Sequence, residues 1–335
     1  IIVNSEVDAD LATLNANTTC DLREAIAIAN TGVDTGGDCA FVPIGAIDLT
    51  ADDFVIRFDM TSGAVADELT ISLQTPLPTI TSTVDIGGYA VGNPTATSLV
   101  YIQPAIPSGT GIGLGFGVNA GNNAINADNS KVSGLIIRNF GIGIQVDNVA
   151  DVEIGDSGAP LTGLRNYIYG NQYGIDVRGT NAQRTLIRNN SVGVTEVNGT
   201  VGNAIHGIFV QADAQVTTIG GASADDGNIV GANGNFGIYV SGSDNVTISN
   251  NIVGIPLISS NVNIGNGGAG IYVTGSTDVD IISNTVGYSG TQGIVIEASP
   301  STFLINHNIG TLPNTTTPIP NTQDGNYTEI IYAEL

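Results

Sequence analysis

A four-residue pattern, Gly-Ile-x-aliphatic, recurs through the second half of the chain and alternates apolar with variable positions. Alternation with a period of two is typical of a β-strand that buries one face. The copies begin 31, 33, 30, 33 and 23 residues apart, at Gly143, Gly174, Gly207, Gly237, Gly270 and Gly293. Each repeat is therefore predicted to contain one strand with two inward positions. These positions form one ladder of Ile144, Ile175, Ile208, Ile238, Ile271 and Ile294, and a second of Val146, Val177, Val210, Val240, Val273 and Ile296.

An asparagine before a short apolar step follows each copy of the pattern, and another alternating segment lies between the two features. The asparagines are Asn166, Asn190, Asn228, Asn251, Asn284 and Asn308. Each repeat is thus predicted to hold three short strands joined by turns. Because asparagine tolerates tight turns and can stack its amides, we expect these residues to form a hydrogen-bonded ladder at one bend.

Repeats of this kind can wind into a solenoid, in which parallel strands pair between successive turns without crossover helices. Over roughly residues 80–310 the pattern resembles that of right-handed parallel β-helix proteins, the pectate-lyase-like superfold. The resemblance implies an all-β, right-handed parallel β-helix. It implies little about function, because one fold hosts many activities. Residues 111–117 are glycine-rich and are predicted to form a flexible loop instead.

The segment from Cys20 to Ile26 resembles the Cys-Ser-Leu-Arg-Glu-Ala motif at the start of many secreted bacterial β-helix proteins, with Asp21 in place of serine. Asp21 is a good N-cap and Glu24 is its capping-box partner, so a short helix is expected from about Leu22 to Ala29, ahead of Gly32. The predicted organisation is a cap at 1–45, a β-helix at 46–310, and a linker with a terminal strand at 311–335. The motif implies export.

Composition narrows the range of partners. The chain has 8 Lys and Arg against 31 Asp and Glu, for a net charge of −23, which disfavours binding to nucleic acid or to polyuronates. No apolar run is long enough to span a membrane. The first residue is Ile1, which fits a mature product without its leader. Cys20 and Cys39 could close a disulfide in an oxidising compartment, or could remain free thiols.

Six of the eight basic residues lie between 131 and 188. In a polysaccharide lyase, hydrolase or epimerase, Arg138, Arg178 and Arg188 would be the candidate catalytic residues, since a uronate carboxylate must be neutralised. The alternative is structural, for example an ion pair between Arg178 and Asp147 on adjacent rungs. A group of acids could bind Ca²⁺, although no metal site is assigned. These acids are Asp147, Asp151, Glu153 and Asp156.

Phe209, Tyr239 and Tyr272 share one outward position on three successive rungs. Stacked rings could bind a glycan, form a protein interface, or simply stabilise the sheet. Six glycosylation sequons also occur, at Asn17, Asn189, Asn198, Asn245, Asn314 and Asn326.

The C-terminal segment carrying Tyr327, Ile330, Ile331 and Tyr332 could fold back on the last rung, pair with another protomer, or lead into further sequence. The preferred expectation is an exported, non-catalytic structural or adhesive protein of the cell surface or matrix, self-assembling head to tail into filaments. Its partners would be further copies of itself or a cell-surface glycan. The alternatives are a carbohydrate-active enzyme and a non-catalytic glycan-binding module.

Overall fold

The computed structural model describes residues 1–5, 19–33, 39, 54–58, 68–90, 99–107, 109–118, 126–157, 165–197, 199–256, 262–313, 317–322 and 329–331. Over these ranges the chain forms one α-helix and many short strands. In chain order these elements are β1 (Ile2–Val3), α1 (Leu22–Thr31), β2 (Phe54–Phe58), β3 (Glu68–Leu73), β4 (Val84–Ala90), β5 (Leu99–Pro104), β6 (Ile112–Phe116), β7 (Lys131–Ser133), β8 (Leu135–Arg138), β9 (Ile142–Asp147), β10 (Glu153–Ile154), β11 (Asn166–Tyr169), β12 (Tyr173–Arg178), β13 (Leu186–Ile187), β14 (Asn190–Val192), β15 (His206–Gln211), β16 (Thr218–Gly220), β17 (Ile229–Val230), β18 (Ile238–Ser241), β19 (Thr247–Ser249), β20 (Ile252–Val253), β21 (Ile271–Thr274), β22 (Asp280–Ile282), β23 (Thr285–Val286), β24 (Ile294–Glu297), β25 (Phe303–Ile305), β26 (Asn308–Ile309) and β27 (Glu329–Ile331).

The strands form three parallel sheets that run the length of a solenoid. From β7 onward, each turn of chain contributes one strand to sheet A, the next to sheet B and the third to sheet C. Sheet A runs from β1 to β25, sheet B from β3 to β26 and sheet C from β6 to β27. The predicted all-β, right-handed parallel β-helix is confirmed. Its strands reach beyond the predicted bounds of 46 and 310, since β1 extends sheet A and β27 extends sheet C.

The inward ladders lie where the repeat predicts them, and their members are almost fully buried in one continuous core. Residues 111–117 belong to the same repeat, so the expectation of a loop there is wrong. Ile112–Phe116 is strand β6, which pairs with β9 and places Leu114 beside Ile144. Gly115 occupies the outward position, where the absence of a side chain hides the alternation.

The repeated glycine is required because the next rung passes too close for a side chain. A methyl group at Gly207 would lie 2.6 Å from the carbonyl oxygen of Gly237 and 2.7 Å from Nδ2 of Asn233. The corresponding contact of Gly174 with the Gly207 oxygen would be 2.5 Å. The column therefore marks the closest approach between adjacent turns of chain.

Helix α1 begins after Asp21, whose Oδ1 accepts a hydrogen bond from the Glu24 N–H at 2.8 Å, and it ends at Gly32 in the left-handed conformation. Its apolar face, which includes Leu22 and Ile26, belongs to the main core. Cys20 and Cys39 form a disulfide at the start of this helix. Among the described residues, no helix is long and apolar enough to cross a membrane.

Five of the six predicted asparagines form a continuous ladder at the corner between sheets A and B. In the three steps from Asn190 to Asn284, Oδ1 of one residue accepts from Nδ2 and the backbone N–H of the asparagine one rung before. Asn166 begins the ladder by donating from Nδ2 to Asn190 Oδ1 at 2.9 Å. The sixth position is His307, and the assignment of Asn308 is wrong by one residue, since Asn308 pairs with Thr285 inside strand β26. His307 Nδ1 accepts from the Asn284 N–H at 3.3 Å, and its Nε2 lies 2.9 Å from the Ile281 oxygen.

The other two corners carry ladders that the sequence patterns did not reveal. Between sheets B and C, side-chain amides of Asn171, Asn203, Asn233 and Asn266 repeat the same bonding. Between sheets C and A, the hydroxyls of Ser276 and Ser299 accept backbone N–H bonds from the preceding rung at 3.1 and 3.2 Å. At each of the three corners, the side chains that accept these backbone hydrogen bonds are thus of one type on several successive turns.

Substitution of Gly207 by alanine should destabilise the solenoid by roughly 1–3 kcal/mol, because the new methyl group overlaps the Gly237 carbonyl. The control is Gly115→Ala, whose methyl group would meet Ile112 Cγ2 at an ordinary 3.5 Å. Denaturant unfolding of both variants measures the difference. Equal free energies of unfolding for the two variants would show that adjacent rungs can move apart enough to accommodate the methyl group.

Substitution of Asn228 by alanine should cost roughly 2–4 kcal/mol, since it leaves buried backbone and amide groups unpaired. Asn228 Nδ2 donates to the Ile187 oxygen at 2.8 Å and to Asn251 Oδ1 at 2.9 Å, and its own Oδ1 accepts from Asn190. Exposed Asn181 is the matched position, where alanine should change stability by less than about 0.5 kcal/mol. Urea denaturation of both variants tests this difference, and a similar small loss in each would remove the ladder's energetic role.

Candidate polysaccharide-binding face

The three arginines proposed as catalytic residues lie on different parts of the solenoid surface. Arg138 ends β8 on sheet B, Arg178 ends β12 on sheet C, and Arg188 follows β13 at the corner between sheets A and B. They therefore do not form one site. Each has to be judged by its own surroundings.

Arg138 takes part in a packed network on sheet B. Its Nη1 donates to the Tyr169 hydroxyl at 3.3 Å, and its guanidinium lies 4.7 Å from the centre of the Tyr101 ring. Both tyrosine hydroxyls lie within hydrogen-bond distance of Glu196, at 3.1 and 3.4 Å. The two tyrosines are only 5% exposed, and burial raises the pKa of Tyr169. Glu196 thus holds its loop against this part of sheet B, so a substrate has little access to Arg138 and the two tyrosines.

Arg188 is paired with carboxylates. Its Nε donates to Glu153 at 3.0 Å, and its Nη1 lies 3.9 Å from Asp226. Lys131 contacts the other oxygen of Glu153 at 3.5 Å. Burial, followed by the charge of Glu153, raises the pKa of nearby Asp156. This arrangement fits a structural ion-pair network at the A–B corner.

The acids considered for Ca²⁺ are distributed over separate elements. Asp151 accepts two hydrogen bonds from Arg184, at 2.7 and 2.6 Å, and hydrogen bonding to Arg184 holds the pKa of Asp151 below its usual range. Over the described ranges, one group of three potential metal ligands converges within 4.8 Å, and two of its members are the disulfide sulfurs of Cys20 and Cys39.

The outer face of sheet C carries a different combination of side chains. At its N-terminal end lies what we call the polar cluster: Gln145, Asp176, Arg178 and Gln211. Asp176 is 1% exposed and accepts from Arg178 Nε at 2.8 Å, from Gln211 at 2.8 Å and from Gln145 at 3.4 Å. The expected partner of Arg178 was Asp147, which is its register neighbour on β9. The ion pair forms with Asp176 instead, because residues two apart on a strand share a face.

Beyond the polar cluster, six aromatic side chains form what we call the aromatic platform: Tyr173, His206, Phe209, Phe236, Tyr239 and Tyr272. The predicted column is present, with Phe209 and Tyr239 stacked at 4.7 Å and Tyr239 edge-on to Tyr272 at 5.4 Å. Phe236 adds a ring stacked on Tyr272 at 4.4 Å. Apart from His206, the rings are half-buried, so each presents part of its surface to solvent.

Three members of this platform escaped the sequence analysis. Tyr173 and His206 begin strands β12 and β15, three residues before the predicted column, and Phe236 lies in the turn before β18. The available indication was the aromatic residue or histidine directly before the Gly-Ile pair in three successive repeats, at Gly174, Gly207 and Gly237. It was missed because only positions within the four-residue pattern were compared.

His206 lies between rings and stays neutral. Its side chain stacks on Phe236 at 5.2 Å, and burial lowers its pKa to about 4. Nδ1 accepts the Phe236 N–H at 3.3 Å, so the single proton of the neutral ring is on Nε2. The histidine therefore adds a polar edge to the platform without adding charge.

Tyr272 ends the platform with a hydrogen bond to an acid. Its hydroxyl donates to Glu297 Oε2 at 2.5 Å on the exposed rim of the sheet. Burial, together with the hydrogen bond and the charge of Glu297, raises the pKa of Tyr272 to about 12. The hydroxyl is thus a hydrogen-bond donor at any physiological pH.

Some of the predicted glycosylation and self-assembly residues lie within the described residues, and the others lie outside them. Asn189 is 2% exposed and Asn245 is exposed, so the buried side chain of Asn189 is unsuitable as a glycan acceptor. Asn17, Asn198, Asn314, Asn326, Tyr327 and Tyr332 lie outside the described residues. The strand containing Ile330 and Ile331 pairs with β24 of its own chain, which is the first of the three fates considered.

No protein-family description and no curated protein sequence matches the chain. Several solved structures resemble it. The A-module of mannuronan C-5 epimerase AlgE4 from Azotobacter vinelandii has a TM-score of 0.47 and 14% identity, over 76% of this chain and 61% of that one. The periplasmic alginate epimerase AlgG has a TM-score of 0.44 and 14% identity, over 81% and 62%. An alginate lyase from Paenibacillus sp. has a TM-score of 0.30 and 16% identity, over 76% and 92%.

The chain is a right-handed parallel β-helix protein. It spans about three fifths of the length of the two epimerases. The expectation of a non-catalytic structural or adhesive protein that forms filaments is contradicted, because these β-helix neighbours are alginate epimerases and an alginate lyase. At this level of identity the likeness itself shows the fold, and the site must be argued from the side chains of this β-helix.

Replacement of His206 by phenylalanine should make the stability of the β-helix less sensitive to acid. The folded state holds the pKa near 4, whereas an unfolded histidine titrates near 6.5. The unfolded state therefore binds the proton first, and stability falls as the pH drops from about 6.5 to 4. Thermal unfolding at pH 7 and pH 4.5 should show a smaller difference for His206→Phe than for the unmodified chain. An equal difference would contradict the neutral, buried state of this ring.

Replacement of Glu297 by glutamine should lower the pKa of Tyr272 from about 12 toward 10, because the variant loses the negative charge beside the hydroxyl. The lowering should be incomplete, since burial is the largest cause of the shift. An NMR titration of ¹³Cζ-labelled tyrosine measures it, and the Tyr272→Phe spectrum identifies the resonance. An unchanged pKa would show that burial alone sets it.

Proposed function

We propose that this β-helix protein is carbohydrate-active: it binds a polysaccharide chain along the outer face of sheet C and acts on that chain beside the polar cluster. The observation that carries the proposal is the aromatic platform continuing directly into the polar cluster. In the sheet register, Phe209 is the neighbour of Asp176, and Gln211 is the neighbour of Arg178.

The platform has the dimensions and chemistry for an extended glycan. Its rings come from four successive rungs, and at about 4.8 Å per rung they cover about 14 Å along the solenoid axis. Sugar rings present C–H groups that pack against aromatic faces, while their hydroxyls need polar partners at the edges. Tyrosine hydroxyls and the half-buried amide of Gln211 supply such partners.

The other surfaces fit the proposal less well. On sheet B, the Glu196 loop covers Tyr101 and Tyr169, and at the A–B corner Arg188 is paired with Glu153. Arg178 differs, since its side chain is 34% exposed while its partner Asp176 is buried. The disulfide between Cys20 and Cys39 further supports a role outside the reducing cytoplasm, in keeping with export.

Binding should depend on the platform. In affinity electrophoresis against a panel of polysaccharides, Tyr239→Ala should weaken retention by at least about tenfold, or about 1.4 kcal/mol, because it removes the central ring. The control is Phe303→Ala, which removes a 58% exposed ring from sheet A and should leave binding unchanged. Equal retention of all three proteins would contradict a site on sheet C.

The same samples distinguish enzyme from binding module. Elimination produces unsaturated ends that absorb in the ultraviolet, hydrolysis produces reducing ends, and epimerisation changes the anomeric NMR signals. We expect one of these products from the unmodified chain and none from Tyr239→Ala. Tyr239-dependent binding without any product would instead establish a non-catalytic glycan-binding module.

A further inference from the structure

We propose that the polysaccharide recognised by sheet C is uncharged, and that the polar cluster forms hydrogen bonds with its hydroxyl groups instead of binding carboxylates. This inference rests on the proposed function and specifies its substrate class. Its basis is the charge balance of the face that would hold the glycan.

The single guanidinium among the described outward side chains of sheet C is already neutralised. Arg178 directs both Nε and Nη2 toward one oxygen of Asp176. A polyuronate recognised here would have to compete with a carboxylate that is fixed in place and buried. Because that competitor belongs to the same rigid strand, its displacement would leave an unpaired buried charge, which is costly.

The surrounding charges are also unfavourable for an anionic chain. Asp147 lies beside Arg178 in the register of β9 and β12, and its carboxylate accepts a hydrogen bond from Asn148, an uncharged partner. Glu297 is exposed at the other end of the face, beyond Tyr272. The described outward side chains of sheet C therefore present three carboxylates against one guanidinium, and His206 adds no positive charge at neutral pH. The whole chain, at −23, repels polyanions in the same sense.

The groups left for recognition are suited to hydroxyls. Gln145 and Gln211 bind opposite oxygens of Asp176, so the orientation of both amides is fixed. Gln145 is buried, whereas half-buried Gln211 presents part of its side chain to other partners. Within the described residues, Nη1 of Arg178 has no hydrogen-bond partner and offers further donors. Planar amide and guanidinium groups beside stacked rings match the alternation of hydroxyl edge and C–H face in a neutral hexose. A neutral substrate would also direct the chemistry to the glycosidic bond, because elimination and epimerisation of uronates require the carboxylate.

The test compares matched neutral and acidic polysaccharides by affinity electrophoresis and calorimetry. The neutral probes are β-glucan, galactan and mannan, and the acidic probes are polygalacturonate, alginate and hyaluronate. We expect at least one neutral polysaccharide to bind about tenfold or more tightly than every acidic one. Its affinity should change less than about twofold between about 50 and 500 mM NaCl, since no ion pair forms.

Asp176→Asn provides a gain of function in the same assay. The variant removes the charge that neutralises Arg178 and keeps the shape of the side chain, so affinity for an acidic polysaccharide should rise by about fivefold or more, in a salt-dependent manner. Asp147→Asn is the second variant, in case the buried Asp176 is needed for folding. It should give a smaller rise in the same direction, and thermal unfolding verifies that each variant is folded.

The outcomes separate the two proposals. Tighter binding of an acidic polysaccharide by the unmodified chain, weakened by salt and by Arg178→Gln, would overturn the neutral substrate and leave the sheet C site intact. Absence of any Tyr239-dependent binding to either class would overturn both. The unmodified chain could prefer neutral polysaccharides while neither aspartate variant gains affinity for acidic ones. That result would show that the charge balance is not the cause of the preference, and it would overturn the role given to the polar cluster.

Discussion

The spacing of about 4.8 Å between hydrogen-bonded rungs is the constraint on which the rest of this molecule depends. In the described rungs, the inward side chains of paired strands and the side chains of the corner ladders lie directly above their counterparts in the preceding turn. A column therefore works only if its members are compatible with close stacking. Isoleucine and valine columns satisfy this in the core, amides and hydroxyls satisfy it at the corners, and glycine satisfies it where the backbones themselves meet. The same stacking requirement therefore selects the residue types in the core, at the corners and at the close approaches between backbones.

The same constraint explains which parts of the molecule could be predicted from the sequence. Columns of identical residues are visible as repeats, so the strands of sheet C, their inward ladders and most of one asparagine ladder followed directly from spacing. The failures occur where the physical role is kept while the residue type changes. His307 occupies the sixth ladder position because Nδ1 accepts and Nε2 donates, as the two ends of an asparagine amide do. Gly115 interrupts the visible alternation of β6 although its neighbours Leu114 and Phe116 are core residues.

Outward positions tolerate many more side-chain types than the core and the corners, and for that reason the sequence predicted the site less completely than the fold. Three rings of the platform share a column and were found, whereas Tyr173, His206 and Phe236 join them from other positions. The prediction of Asp147 as the partner of Arg178 was wrong for a related reason. Register placed Arg178 opposite Asp147, but a neighbour two residues away on the same strand is also within reach of the long arginine side chain, and only the packed side chains decide between them. Clustering of arginines along the chain carried no information about clustering in space, because the solenoid distributes consecutive strands over three faces.

A stacked scaffold also determines how a site on its surface can recognise a ligand. The ladders fix the register of sheet C, so the rings of the aromatic platform and the groups of the polar cluster are positioned before any glycan arrives. An extended polysaccharide, the ligand we propose, would then bind without ordering loops, and less of its binding free energy would be lost to conformational entropy. Selectivity must in turn come from the outward side chains themselves. Since Asp176 holds the exposed arginine of this face in a neutral pair, we expect the selectivity that remains to lie in the rings and in the amide of Gln211. We therefore expect a rigid face of that composition to distinguish glycans by the pattern of their hydroxyls, which is the property that differs among neutral polysaccharides.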